Sequence, residues 1–352
     1  MHQRGHPLKN FLIWLIKLAV AIGILYYLFN KATADISFEQ LVAREKNWAL
    51  LGLAAICCGL GVLTCFIRWW LLVRALDLPF SLRHAFRLSF LGYLFNFFSF
   101  GVVGGDLMKA FFIARQHPEK KTRAVTTIFV DRIVGLYGLL CLASVSILSF
   151  HITPAKTRDV NELARFMSVC HLTVGLTIGG SLGAVLIVLM RRKSIVPIGF
   201  TERLPFVGSF VHQLLTAVAI YGRHLKTIGI AFVMSLFVHG LHATGIYLIA
   251  RAITNDAPSL ATHLIIVPIA MVANATPLPG GLGAMELALT LLYRAVSTAT
   301  TSAQQGFVIA LAYRVITMMI ACVGFIYYLS YRREVNELLW KTNSRDLLSA
   351  QD

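Results

Sequence analysis

Long apolar blocks, some of them interrupted by glycine and proline, constrain this chain more than any other feature of its sequence. Runs of about 18 or more mostly apolar residues are long enough to cross a bilayer, and eight such blocks occur here. Uninterrupted spans are predicted at 11–29, 48–73, 124–150, 167–190, 227–250 and 304–330. The sequence therefore predicts an all-α polytopic membrane protein.

The composition agrees with this class and excludes two classes of soluble protein. Of the 352 residues, 57% are hydrophobic and only 14% are charged, whereas soluble domains carry about 25% charged residues. A net charge of +16 would favour nucleic acid in a soluble chain, but here apolar blocks separate the basic residues. We therefore expect neither a soluble enzyme nor a nucleic-acid-binding protein. The cysteines lie inside apolar blocks without the spacing of a ligand set, so we expect no metal and no cofactor.

Basic residues set the predicted orientation, because Lys and Arg concentrate in the short cytoplasmic loops of membrane proteins. The most basic stretches are 115–123, 191–193 and 331–345, which places them in the cytoplasm together with both termini. The two remaining apolar blocks, at about 84–115 and 260–295, must then enter the membrane and return on the same side. Both carry glycine or proline near the middle, so we interpret them as re-entrant helical hairpins. Such backbone is tolerated where protein or a wet cavity covers it.

The order of elements repeats, with the second copy inverted across the membrane. Residues 1–150 and 167–330 each contain three predicted spanning helices and one re-entrant hairpin. Short sequence matches support the repeat, since Asn96 begins NFFSFGVVGGDLMKA and Asn274 begins NATPLPGGLGAMELA. Inverted repeats with paired broken helices are the architecture of many secondary transporters. The predicted organisation is completed by an outer loop (151–166), an amphipathic cytoplasmic segment (203–226) and a cytoplasmic tail (331–352).

The breaks in the two hairpins are the first candidate binding site. A helix that restarts inside the membrane directs backbone N–H groups and a positive dipole end toward a ligand, which suits phosphate. Glycine lets the ligand approach the backbone, and proline fixes the turn; the alternative is that these residues only allow the hairpin to turn. The candidate residues at the breaks are Asn96, Gly104, Gly105, Asp106, Asn274, Pro279, Gly280, Gly281, Gly283 and Glu286.

Two arginines within predicted spans are the second candidate. Arg132 lies in VDRIVG and Arg314 in AYRVIT. An arginine at the centre of a span costs at least roughly 2.5–3.5 kcal/mol and must face a partner or water, and its planar fork suits phosphate oxygens. The alternative for each is a structural ion pair. Arg132 would then pair with Asp106 or Asp131. Arg314 would pair with Glu286.

The acidic residues at the breaks have two interpretations as well. Asp106 and Glu286 either compensate the dipoles of the helices that begin there, or hold a headgroup amine or a coupling proton. Lys109, one turn further, is expected to extend toward the cytoplasm. Arg68, beside two tryptophans, is expected to be an interfacial anchor. Packed polar contacts are expected for His239 and His242.

Three segments carry a resemblance to a known family: NFFSFGVVGGDLMKAFFIAR, VDRIVGLYGLL and NATPLPGGLGAMELAL. Over about residues 10–330, the chain resembles the flippase-like membrane domain of lysylphosphatidylglycerol synthases, in its free-standing form. In the two-domain synthases, a cytoplasmic domain attaches an amino acid to phosphatidylglycerol and the membrane domain moves the product outward. This sequence has no soluble block long enough for such a synthase domain, so we expect no enzymatic activity.

The residues and the resemblance together lead to one expected function and two alternatives. We expect flippase-like phospholipid translocation across the bacterial inner membrane. The phosphate of an anionic or zwitterionic headgroup would be held by the paired breaks and the intramembrane arginines, and a separate lipid-modifying enzyme would be the natural protein partner. The alternatives are a secondary transporter for a small soluble anion and a non-transporting membrane subunit that binds lipid.

Overall fold

The chain is helical over most of the residues that its computed structural model describes. Those residues are 22–23, 26–27, 29–30, 45–98, 104–116, 120–150, 160–192, 216–217, 220–275, 282–296 and 302–330, and no strand occurs among them. The helices are α1 (Trp48–Arg74), α2 (Leu82–Phe98), α3 (Gly104–Gln116), α4 (Lys121–Ser149), α5 (Val160–Arg192), α6 (Leu225–Ile253), α7 (Leu260–Val272), α8 (Ala284–Val296) and α9 (Ser302–Ser330).

Five of these helices, α1, α4, α5, α6 and α9, are long and apolar enough to cross a membrane. They coincide with five of the six predicted spans, so the prediction of a polytopic helical membrane protein is confirmed. One boundary differs, because α5 begins at Val160 and the end of the predicted outer loop is therefore helical. Most of the first predicted span and the whole C-terminal tail lie outside the described residues.

Helices α1 and α6 form an antiparallel pair at the centre of the fold. The Asn47 backbone N–H, just before α1, donates to the Ala252 carbonyl near the end of α6 at 3.1 Å. Small residues bring the two helices close together, since a Cβ on Gly245 would lie 2.7 Å from the Cys58 Sγ. With 27 residues and about 1.5 Å of rise per residue, α1 connects the two ends of the molecule.

Helices α2 and α3 form a short hairpin whose base lies at the C-terminal end of α1. At the tip the helices nearly touch, because a Cβ on Gly105 would lie 1.9 Å from the Gly92 carbonyl oxygen. At the base, the Lys120 Nζ donates to the Asp77 carbonyl at 3.0 Å, which joins the segments before α2 and after α3. With 17 and 13 residues, these helices reach about 26 and 20 Å and are shorter than a bilayer core of about 30 Å.

Helices α7 and α8 form a second hairpin, whose base lies at the other end of the molecule. The His263 Nδ1–H donates to the Ser259 carbonyl at 2.9 Å, so Nε2 is the acceptor for the Tyr293 hydroxyl at 2.5 Å. This bond joins the beginning of α7 to the end of α8. A second contact at the same base is the ion pair between the Arg294 Nη2 and the Glu162 Oε1 of α5, at 2.5 Å.

Each hairpin has its own hydrophobic core. The second hairpin packs on α1, α5, α6 and α9, with fully buried residues that include Ile246, Ile266, Leu289 and Tyr293. The first packs on α1, α4 and the segment before α6, with Trp69, Leu72, Ala85, Ile113, Ala217 and Tyr221 among the buried residues. The described end of the predicted amphipathic segment is therefore docked on the protein.

Candidate functional site

Charged side chains from three helices meet where α3 begins. This first cluster consists of Arg68 from α1, Asp106 and Lys109 from α3, and Asp131 and Arg132 from α4. The Arg132 Nε donates to the Asp106 Oδ2, and the Lys109 Nζ lies 3.6 Å from the Asp106 Oδ1. The Arg68 Nε donates to the Asp131 Oδ1 at 2.8 Å. With three cations and two carboxylates, the cluster carries a net charge of +1.

The local sequence explains why these groups converge. Asp106 lies in the first turn of α3, where the helix dipole favours a negative charge, and the Asn96 Oδ1 fixes that turn by accepting from the Gly105 N–H at 2.9 Å. Lys109 follows three residues later and shares its helix face. Asp131 and Arg132 are consecutive in α4 and point about 100° apart. One therefore reaches α1 and the other reaches α3.

Arg132 is the accessible member of the first cluster. Of its side chain 47% is exposed, compared with 14% for Lys109 and 12% for Asp106. Its guanidinium is held through Nε by a carboxylate that is itself buried.

Arg68 is the buried member, with 5% of the residue exposed. Gly135 of α4 makes room for it, because a Cβ there would lie 3.2 Å from the Arg68 Nη2. Within the described part of the chain, the Arg68 Nη1 and the neighbouring Trp69 Nε1 are buried donors without a hydrogen-bond partner. The Lys109 Nζ lies over the ring of Trp69, at 4.9 Å from its centroid.

An acid–arginine pair lies where α8 begins. The Arg314 Nε of α9 donates to the Glu286 Oε1 at 2.7 Å, and the Gly283 N–H donates to the Oε2 at 2.9 Å. Gly283 adopts a φ of 84°, which glycine allows at little cost, and Glu286 caps the helix by reaching back to it. Only 1% of the Glu286 side chain and 11% of the Arg314 side chain are exposed.

The two halves are built alike but differ in chemistry. In each, the acid at the start of the returning hairpin helix pairs with the arginine of the next long helix. In the first half, the residue before that arginine is Asp131, which forms an ion pair with α1. In the second half it is Tyr313, whose hydroxyl is hydrogen-bonded to the His242 Nδ1 of α6 at 3.2 Å. The second half therefore has a neutral contact where the first has an ionic one.

The structure confirms the ion pairs that were the structural alternative for the two arginines, and it identifies Asp106 as the partner of Arg132. The predicted availability of backbone N–H groups is wrong at two positions, because the Gly105 and Gly283 N–H groups are bonded within the chain. Asn274 donates to the Met285 Sδ at 3.3 Å, and Gly104 begins α3. Pro279, Gly280 and Gly281 lie outside the described residues.

One further expectation is wrong. Arg68 is not an interfacial anchor, because it is buried and paired with Asp131. The Lys109 Nζ lies 3.6 Å from the Asp106 Oδ1 and 4.9 Å from the centroid of the Trp69 ring, and its direction relative to the cytoplasm stays a prediction. A signal for the first contact was present in the sequence, since an aspartate within a span requires a partner of opposite charge.

Comparison with known proteins places these residues in a family. The family model for the lysylphosphatidylglycerol synthase TM region matches residues 14–324. The chain belongs to this family. Both acid–arginine pairs and the whole first cluster fall within the matched range. Comparison of this chain with curated proteins finds no match, and comparison with solved structures finds none either. Family membership and the five long apolar helices make it a multi-pass membrane protein of a lipid-related family.

Proposed function

We propose that this family member translocates a phospholipid between the leaflets of the bacterial inner membrane, with the lipid phosphate held at Arg132. The observation that carries the proposal is this arginine itself, which lies within a helix long and apolar enough to cross a membrane and has 47% of its side chain exposed. Charged residues at membrane depth typically mark the path of a substrate. A guanidinium also suits the two-pronged recognition of phosphate oxygens.

We propose further that the two halves form an inverted repeat with one re-entrant hairpin each. The packing supports this arrangement, because α2 packs on α9 just as its counterpart α7 packs on α4. The corresponding helices α1 and α6 run antiparallel, as an inverted repeat requires. The described helices of the two hairpins are 17 residues long or shorter, and contacts join the two ends of each hairpin at its base, which supports a re-entrant arrangement.

The proposed orientation places the base of the first hairpin in the cytoplasm and the base of the second outside. Lys120 and Arg123 donate to carbonyls at the base of the first hairpin, which gives that end the basic character of a cytoplasmic face. Asp106 and Glu286, in the first turns of α3 and α8, would then lie at membrane depth. The second pair, Glu286 with Arg314, would hold its hairpin in place, and Arg132 would face the lipid.

The test is leaflet exchange in liposomes that carry fluorescent headgroup-labelled phospholipids, followed by dithionite quenching. Wild-type protein should accelerate exchange, and Arg132→Ala should abolish the acceleration because it removes the proposed phosphate contact. Arg251→Ala is the matched control, since Arg251 lies exposed in the last turn of α6, remote from the cluster. Folded wild-type protein that accelerates exchange of no phospholipid would contradict the proposal. Equal exchange by wild type and Arg132→Ala would contradict the role of Arg132.

A further inference from the structure

We propose that His239 is a proton-binding residue of this protein, and that a proton on its Nδ1 is linked to the separation of α4 from α6. The ligand is therefore a hydrogen ion, and the residue that binds it lies outside both acid–arginine pairs. The inference goes beyond the proposed function, because it concerns the contact between the two halves of the chain and does not depend on the cargo.

His239 lies on a face of α6 that contacts both halves of the chain. Its Nε2–H donates to the Gly135 carbonyl of α4 in the first half, at 2.9 Å. His242, three residues later and on the same face, is hydrogen-bonded through Nδ1 to the Tyr313 hydroxyl of α9 in the second half, at 3.2 Å. Histidine is the side chain that ordinarily gains and loses a proton between pH 5 and 8. A titratable residue therefore lies at the junction of the two halves.

The Nδ1 of His239 is the atom that can accept the proton. Because a carbonyl oxygen only accepts, the Gly135 contact fixes the proton of the neutral ring on Nε2 and leaves a lone pair on Nδ1. Within the described part of the chain, this Nδ1 is buried and has no hydrogen-bond partner, which is rare for a buried polar atom. A cationic N–H without an acceptor would be costlier still at this position, so the closed contact suits the neutral ring. The Nδ1 of His242 differs, because it is already bonded to Tyr313.

Arg68 opposes a proton on His239 while α4 and α6 are in contact. Gly135 lies against both side chains, because a Cβ there would be 3.2 Å from the Arg68 Nη2 and its carbonyl accepts from His239. An imidazolium would add a second positive charge beside this buried guanidinium, and the two would repel each other. Asp131 is already engaged by Arg68 through two side-chain hydrogen bonds. The charged and titratable groups joined to this site are Arg68 of α1, Asp131 of α4, His242 of α6, and Tyr313 and Arg314 of α9.

Separation of α4 from the other two helices would remove both obstacles to the proton. Helices α1 and α6 are closely packed on each other, and α4 contacts them at two positions one turn apart. Asp131 bonds Arg68 of α1, and the Gly135 carbonyl accepts from His239 of α6. When α4 moves away, water reaches Nδ1 and weakens the repulsion from Arg68. Uptake then forms one N–H bond with a proton from water, release returns that proton to water, and no electron is transferred.

The experiment measures how pH changes the exposure of a cysteine between α4 and the helices that it contacts. Val134→Cys, in the full-length chain without its native cysteines, supplies the reporter, because Val134 is 7% exposed and packs in the same core as Ala231 of α6. Its labelling rate in detergent is divided by the rate in denatured protein at the same pH, which removes the pH dependence of the thiol. A solvated histidine titrates near pH 6.5. One linked proton should therefore raise the normalised rate by up to about tenfold per pH unit below that pH, with little change between pH 8 and 7.

His239→Gln is the test variant, because an amide can still donate to the Gly135 carbonyl but takes up no proton in this range. In this variant the normalised rate should be independent of pH. His171→Gln is the matched control, since His171 is exposed on α5, and it should retain the rise. A second reporter, Ile266→Cys, lies in the other core and is fully buried. It should stay unlabelled, because separation of α4 is not global unfolding.

Each outcome decides for or against the inference. A rate at position 134 that does not depend on pH in the protein with His239 would overturn it without any histidine variant. The same rise in folded His239→Gln, or an equal rise at position 266, would overturn it as well. Leaflet exchange with pH-independent labelling would remove the inference and leave translocation standing. The expected labelling without leaflet exchange would support the inference and remove translocation.

Discussion

Buried ion pairs are the feature that dominates at the scale of single residues. Taking two charges out of water is costly, and their attraction offsets that cost only when geometry and hydrogen bonding are good. The Arg68–Asp131 pair meets this condition through two side-chain hydrogen bonds, from Nε at 2.8 Å and from Nη2 at 3.2 Å. Removal of one partner should therefore cost more stability than removal of both.

We predict that Asp131→Asn lowers the stability of the folded protein by about 3–5 kcal/mol, because it leaves the Arg68 charge buried without compensation. The double variant Arg68→Met with Asp131→Leu should recover most of this loss, since both charges are then absent. Thermal unfolding in detergent, followed by tryptophan fluorescence, measures both effects. A single variant as stable as wild type would show that the pair is not structural.

The sequence indicates Glu286 as the alternative partner of Arg314 and leaves both Asp106 and Asp131 open for Arg132. It predicts Arg68 as an interfacial anchor and not as a partner of Asp131. An arginine within an apolar span requires a carboxylate or water, and Asp106 and Glu286 lie on the helices that precede Arg132 and Arg314. Arg68 is followed by two tryptophans, a pattern typical of the membrane interface. Tertiary packing outweighed that local pattern, because Gly135 leaves space for the guanidinium between α1 and α4.

At the scale of elements, glycine controls how closely the hairpin helices approach. The space for a Cβ on Gly105 is already occupied by the Gly92 carbonyl oxygen, at 1.9 Å. Neither helix can move away freely, because the Asn96 side chain connects the end of α2 to the beginning of α3. The described helix ends at the tip of the first hairpin therefore hold each other in place, which fixes the position of Asp106.

We predict that Gly105→Ala separates α2 from α3 and lowers the thermal unfolding temperature, because the Cβ would overlap the Gly92 carbonyl oxygen. Gly179→Ala is its control, because nothing lies within 4 Å of a Cβ at that position in α5. That control should be neutral or stabilising by up to about 1 kcal/mol, as is usual for glycine to alanine within a helix. Equal behaviour of the two variants would count against the close contact at the hairpin tip.

The hairpins themselves could be predicted because glycine and proline interrupt blocks that are otherwise apolar. The sequence did not predict which groups accept hydrogen bonds from the backbone N–H groups of Gly105 and Gly283. Asn96 lies nine residues before Gly105, whose N–H donates to the Asn96 Oδ1, and only the folded hairpin brings the two together. The N–H of Gly283 is met instead by Glu286, a local contact typical of a capping box.

At the scale of the whole molecule, the two hairpin bases define two different ends. Arg83 and Arg123 lie at the base of the first hairpin, and Asp256 lies in the segment that leads into the second. The sequence predicted which loops share a side from the distribution of basic residues. It did not predict the antiparallel contact of α1 with α6, because helices that are apolar all round do not reveal which face meets a neighbour.

We predict that single cysteines at positions 83 and 123, in a background without the native cysteines, are both labelled from the cytoplasmic side. A cysteine at position 256 should be labelled from the opposite side. All three native side chains are exposed, so reagent access is not limited by burial. The measurement is labelling by a membrane-impermeant maleimide in intact cells and in inverted vesicles. Labelling of positions 83 and 123 from different sides would mean that the first hairpin crosses the membrane.

The close contact between α1 and α6 has a mechanical consequence. Gly245 lies against Cys58, and Gly61 lies against the ring of His242. The two helices are therefore in close contact along the middle of their length. Sliding or spreading of these two helices would lose contacts at each of these crossing points. A conformational change of this protein is therefore expected to leave α1 and α6 together and to move other helices relative to them.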